Sequence, residues 1–105
     1  MMGAREARAA VRVVQKYGGT SVADPERMRS VAEQIARTHR RGDEVIVVVS
    51  AMGKETDDLL RLAEEVSGAN RPGREMDMLI TAGERKATAL LCMAVHAMGV
   101  PADSF

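Results

Sequence analysis

The residues best suited to chemistry lie where the first hydrophobic run of the chain ends. Lys16 closes this run, and Tyr17, Gly18 and Gly19 follow it directly. Glycines let backbone N–H groups approach an anion without a Cβ in the way, and a lysine adds a compact positive charge beside them. This order predicts a loop that holds phosphate, with phosphoryl transfer as its chemistry. Neither common phosphate-loop pattern is present, so an ordinary strand-to-helix turn with a solvated lysine stays open as the alternative.

A second polar loop follows the next hydrophobic run and extends from Ser50 to Asp57. Ligands of open α/β sheets bind beyond the C-terminal ends of the strands, so the two loops are expected to share one crevice. Thr56 has two interpretations in this loop. Its hydroxyl could cap the helix that follows, or it could bind a carboxylate of a ligand.

A third candidate site lies inside a long helical pattern, at Thr81–Arg85. Gly83 interrupts this pattern at a cost of about 1 kcal/mol relative to alanine, and such a glycine often marks a close approach of another backbone. Glu84 could then receive an ammonium group. The alternative for Glu84 is a surface carboxylate paired with Arg85 or Lys86.

The hydrophobic pattern predicts the elements that would position these sites. Asp24 is expected to cap a helix whose apolar residues recur at helical spacing and which ends at Arg40-Arg41-Gly42. Val45–Val49 is apolar throughout, as in a parallel strand buried on both faces. Strand, helix and strand in succession indicate a right-handed crossover in a parallel sheet. The other predicted elements are a strand at Val11–Lys16 and helices at Thr56–Val66 and Arg74–Met98.

Composition limits the classes of protein to consider. A chain of 105 residues makes one small domain, and 46% hydrophobic with 29% charged residues indicates a globular protein. Fifteen basic residues balance fifteen acidic ones, and only Tyr17 and Phe105 are aromatic, so neither nucleic acid nor a membrane is expected as a partner. Cys92 is the one cysteine, so no disulfide forms within the chain. Residues 1–10 are predicted to be a flexible lead-in without secretory character, which favours the cytoplasm.

Three segments together resemble a known family. VVQKYGGTSV, VVVSAMGKETDDLL and REMDMLITAGERKATALLCMA are similar, in this order and spacing, to the opening third of bacterial aspartate kinase in its actinobacterial form. The resemblance covers residues 11–105. It implies an α/β fold of the amino-acid (carbamate) kinase type, a parallel-sheet core with flanking helices, of which residues 11–105 would be an incomplete N-terminal portion.

The resemblance also implies a reaction and the residues that perform it. The family transfers the γ-phosphoryl group of ATP to the β-carboxylate of L-aspartate, giving 4-phospho-L-aspartate at the entry to lysine, threonine and methionine synthesis. Mg²⁺ is carried by the nucleotide, and no residue of this chain is expected to bind a metal. Lys16 would be the catalytic residue. The ATP phosphates would be held by Lys16, Tyr17, Gly18, Gly19 and Ser50, and aspartate by Thr56 and Glu84, with Glu84 facing its α-ammonium group.

Two short stretches depart from the family pattern. Lys54-Glu55 stands where relatives have a small or acidic residue and then threonine, and Arg85-Lys86-Ala87-Thr88 replaces a more apolar GERIS-type continuation. In family members the adenine pocket, an aspartate-binding arginine and the regulatory domains follow later in the chain. This chain alone is therefore expected to be inactive and to work as a homo-oligomer or with a complementing kinase portion. A non-catalytic assembly module and a gene fragment without function are the alternatives.

Overall fold

The computed structural model describes residues 9–105, so most of the predicted lead-in at residues 1–10 lies outside the described part. The strands are β1, Arg12–Tyr17, and β2, Glu44–Val49; the helices are α1, Pro25–Arg40, α2, Glu55–Ser67, and α3, Gly73–Ala97, and a short 3₁₀ turn covers Gly19–Val22. Within residues 9–105, none of the helices combines the length and apolar character needed to cross a membrane.

The two strands form a parallel sheet, as predicted. Arg12 pairs with Glu44 at one end of the register and Tyr17 with Val49 at the other. Because successive residues of a strand point to opposite faces, the apolar β2 has two different environments. Val45, Val47 and Val49 pack toward the helical core. On the other face, Val14, Ile46 and Val48 are 65%, 39% and 51% exposed.

Burial on both faces of the sheet was therefore the wrong expectation for this chain. Among residues 9–105, α1 and α3 both pack on the face of Val45 and Val47, and no described element covers the opposite face. The continuous apolar run of β2 still predicted a parallel strand correctly. It did not specify which face the described residues would cover.

Helix α1 begins and ends as the sequence predicts. The Asp24 carboxylate accepts a hydrogen bond from the Arg27 backbone N–H at 2.8 Å, and Pro25 occupies the first helical position, where its missing N–H costs no hydrogen bond. Gly42 follows the helix with a φ of 96°, in the left-handed region that glycine adopts without strain. Residues close to each end of α1 therefore determine where the helix that connects the two strands begins and ends.

We expect Asp24→Ala to lower the free energy of unfolding of the chain by about 1 kcal/mol, because the Arg27 N–H loses its acceptor at the helix N-terminus. Urea unfolding followed by circular dichroism at 222 nm, a wavelength that reports helix, measures the difference. Asp24→Asn is the matched control and should retain most of the stability, since asparagine caps helices about as well. Equal losses in both variants would contradict the capping role.

The core lies between α1 and the C-terminal half of α3. The apolar face predicted for α1 is buried, and it meets Leu91, Val95 and Val100. The buried apolar residues of α1 are Met28, Val31, Ala32, Ile35 and Ala36. Gly99 has a φ of 82° and follows the end of α3, as expected for a glycine that ends a helix.

Helices α2 and α3 form a hairpin that is packed more loosely than α1. No residue of α2 is buried, and Val66 near its C-terminal end is 80% exposed. An apolar groove of about 280 Å³ lies between α2 and the start of α3, lined among others by Leu62, Met76 and Leu79. Away from this groove, α3 lies against the second loop at Gly83, near Ala51 and Glu55.

Candidate functional site

The loops that follow β1 and β2 are in direct backbone contact. The Gly53 N–H donates to the Gly19 carbonyl at 2.9 Å. A Cβ on Gly19 would lie 2.8 Å from the Ala51 carbonyl oxygen, closer than real Cβ atoms come to backbone, and a tight 3.0 Å from that of Gly53. The two loops thus lie side by side, as expected from two neighbouring parallel strands, and Gly19 is a glycine because the second loop occupies the space of its side chain.

Lys16 is exposed on the uncovered face of the sheet. It pairs in register with Val48 and points to the side opposite the helical core. Within residues 9–105 no ion pair joins its ammonium group to a carboxylate. Its side chain is exposed, and Tyr17 alone separates it in sequence from Gly18 and Gly19.

Tyr17 points away from Lys16, into the space between β1 and α1. Its hydroxyl donates to Gln15 Oε1 at 2.9 Å and lies 3.2 Å from Gln34 Oε1, and partial burial raises the pKa of the phenol. The Tyr17 carbonyl accepts from the Ser50 N–H at 3.1 Å. Any part that Tyr17 has in holding phosphate must therefore come from its backbone, while its side chain fixes β1 against α1.

Gly18 differs from Gly19 in its surroundings. A Cβ on Gly18 would have no heavy atom within 4 Å, and its φ of −78° suits any residue. The Gly18 carbonyl accepts from the Ser21 N–H at 3.1 Å, which starts the 3₁₀ turn. The structure thus explains Gly19 by packing, and Gly18 as a phosphate ligand stays a prediction.

Thr56 is not the cap of α2, so the capping interpretation was wrong. The helix begins one residue earlier, at Glu55, and its N-cap is Lys54, whose side chain makes no capping hydrogen bond. The turn starts early because the Glu55 N–H already donates to the Met52 carbonyl at 2.9 Å. Thr56 lies half-buried in the first turn, and its role as a ligand for aspartate stays a prediction.

Gly83 brings α3 against the second loop. Helix α3 continues through Gly83 without the expected interruption. A Cβ there would lie 3.1 Å from Glu55 Oε1, 3.2 Å from Leu59 Cδ1 and 3.5 Å from the Ala51 Cβ. Gly83 is closely approached, as predicted, but all three approaching atoms belong to side chains, so the expected approach of another backbone was wrong. Glu84, the next residue, is exposed beside this contact.

An ion pair that the sequence did not predict closes the same contact. The Lys86 ammonium group is bonded to Glu55 Oε2, so Lys86 pairs across to α2 and not with Glu84 along its own helix. The pair joins the two stretches in which the sequence was expected to depart from the family pattern. One departure introduces an acid and the other a base, but nothing in the sequence places them side by side.

No acidic cluster in the described part suggests a metal site. Within residues 9–105, no group of three or more His, Cys, Asp or Glu side chains could hold a metal ion. Cys92 is half-buried on α3, and burial followed by the nearby Asp103 carboxylate raises the pKa of its thiol. A raised pKa disfavours the reactive thiolate, which agrees with an inert structural cysteine.

Comparison with known proteins relates the three loops to one family. The profile of the amino acid kinase family matches residues 11–105. The aspartokinase of Mycolicibacterium smegmatis is 62% identical over 93 residues, which cover 89% of this chain and 22% of that protein. The aspartokinase of Corynebacterium glutamicum is 55% identical over 93 residues, with the same coverage of 89% and 22%.

A solved structure shares the backbone arrangement as well. The crystal structure of aspartate kinase from Synechocystis superposes with a TM-score of 0.86 at 49% identity, over 91% of this chain and 16% of that one. The chain spans 22% of the length of its mycobacterial relative, less than the third expected from the sequence.

Proposed function

The chain belongs to the amino acid kinase family, and from that premise we propose that it is the N-terminal part of an aspartate kinase, which transfers the γ-phosphoryl group of ATP to the β-carboxylate of L-aspartate. One observation carries the proposal. Gly19 packs on the loop after β2, and Gly83 packs on Ala51 and Glu55, so all three resembling segments meet at one place. The names of the relatives support the choice of aspartate as the acceptor.

The residues at this place suit the proposed chemistry. The attacking β-carboxylate is already ionised, so the reaction needs no general base, and catalysis consists of positioning two anions and neutralising the transferring group. Lys16 and the backbone amides of the glycine loop would supply positive charge at the ATP phosphates. Thr56 and Glu84 would hold aspartate, with Glu84 accepting from its ammonium group. Magnesium, carried on the nucleotide, would neutralise further phosphate charge.

A chimera tests this function in a complete enzyme. The 93 aligned residues of this chain replace their counterparts in the M. smegmatis aspartokinase, and acyl phosphate is trapped as the hydroxamate with ATP, Mg²⁺ and L-aspartate. We expect turnover with L-aspartate and little with succinate, which lacks the ammonium group that Glu84 would bind. A folded chimera that forms no hydroxamate would contradict the proposed function.

The chain by itself should form no hydroxamate in the same assay, because it spans 22% of that relative and the adenine pocket is expected in the remainder. A role in lysine, threonine and methionine synthesis and a cytoplasmic location are part of the same proposal. Both are based on the relatives alone, and no contact within residues 9–105 of this chain bears on them.

A second candidate, a non-catalytic assembly module, is favoured by the exposed apolar surfaces. The bare face of the sheet exposes Val14, Ile46 and Val48, and α2 exposes Leu62 and Val66. Another chain can cover such patches, as can the remainder of a longer protein, and a strand edge can pair with another strand. Size-exclusion chromatography with light scattering should then show a homo-oligomer, and a well-folded monomer would argue against this candidate.

A further inference from the structure

An ion pair joins the two stretches that were expected to depart from the family pattern. Glu55, in the first turn of α2, is ion-paired with Lys86 of α3, and their side chains are 21% and 53% exposed. We infer that this pair is a positioning element of the aspartate site. It joins the residues that would bind aspartate and neutralises an added carboxylate beside them. The inference rests on the proposed function, because it assigns Thr56 and Glu84 to the substrate.

The Glu55–Lys86 pair could position the substrate because each of its members lies next to a predicted aspartate ligand in the sequence. Glu55 directly precedes Thr56, and Lys86 lies two residues after Glu84. Glu55 Oε1 also lies 3.1 Å from the Cβ position of Gly83, so this carboxylate rests on the turn of α3 that carries Glu84. A movement of Glu55 would therefore change the distance between the two substrate ligands.

Charge gives the pair a second role. L-Aspartate brings two carboxylates to a site that already holds Glu84, and Glu55 adds a further carboxylate nearby. A like charge weakens the binding of an anion, and its effect is screened less where the group is partly buried. Lys86 offsets this repulsion. Surface ion pairs contribute little to folding, so loss of Lys86 should act on aspartate binding more than on stability.

The chimera with Lys86→Met tests the inference. We expect the KM for aspartate to rise about tenfold, because Glu55 is then uncompensated, whereas kcat and the KM for ATP change less than about twofold. The rise should shrink at high ionic strength. Adding Glu55→Thr to Lys86→Met should return the KM for aspartate to within about twofold of the parent, because no uncompensated carboxylate remains. The single variant Lys86→Arg keeps the positive charge, so its KM should also stay within about twofold of the parent.

Lys54→Met is the matched control, because Lys54 is an exposed cation of the second loop with no ion pair within residues 9–105. The KM of this variant for aspartate should stay near that of the parent. Lys86→Gln provides a second neutral variant if methionine impairs folding. An unchanged KM in both neutral variants, or a double variant as weak as Lys86→Met, would overturn the inference alone. A parent chimera inactive with aspartate would reject the proposed function, and the inference with it.

Discussion

Replacing Lys16 by alanine is expected to abolish turnover of the chimera, lowering kcat by about a thousandfold or more. Lys16 is exposed near the C-terminal end of β1, with Tyr17 alone between it and Gly18, and within residues 9–105 no ion pair joins its ammonium group to a carboxylate. In the proposed reaction it would stabilise charge on the transferring phosphoryl group. Steady-state kcat at saturating ATP and aspartate measures the loss.

Arg12 offers a matched control for Lys16. It lies on the same strand and the same exposed face but at the far end from the loop, where it pairs with Glu44 at 3.4 Å. Arg12→Ala should leave kcat within about twofold of the parent, because the charge that it removes is distant from the phosphates. A Lys16→Ala variant with near-normal kcat would refute the catalytic role of the lysine.

Elements specified by local chemistry could be predicted from the sequence. The cap at Asp24, the helical spacing of the α1 core residues and the glycine that ends α1 each act within a few residues, and the structure has all three. The parallel pairing of the strands followed from the intervening helix alone. The contact between the first two loops followed from that pairing, which is why the centre of the candidate site could be predicted.

Features set by tertiary packing were missed or misjudged. The local sequence predicts that Gly83 interrupts the helix, yet α3 continues through it. A small residue is needed there because side chains of α2 and the second loop pack closely against it. The Lys86–Glu55 pair joins residues 31 positions apart, a separation at which sequence spacing carries no information.

Gly19→Ala is expected to force the two loops apart and to lower the free energy of unfolding by about 1–3 kcal/mol, the range typical of overpacking. Its Cβ would lie 2.8 Å from the Ala51 carbonyl oxygen and 3.0 Å from that of Gly53. Backbone atoms cannot rotate away as a flexible side chain does, so the loops must move. Urea unfolding of the chain measures the stability, and kcat of the chimera should fall together with it.

Gly18→Ala separates this packing effect from the mere loss of a glycine. No heavy atom lies within 4 Å of its added Cβ, and its φ of −78° is open to alanine, so the free energy of unfolding should stay close to that of the parent. If Gly18 approaches phosphate as predicted, the same variant should still weaken ATP binding in the chimera. Equal stability of the Gly19→Ala and Gly18→Ala chains would show that the contact with Ala51 and Gly53 does not hold the loops together. The three segments would then need another reason to meet at one site.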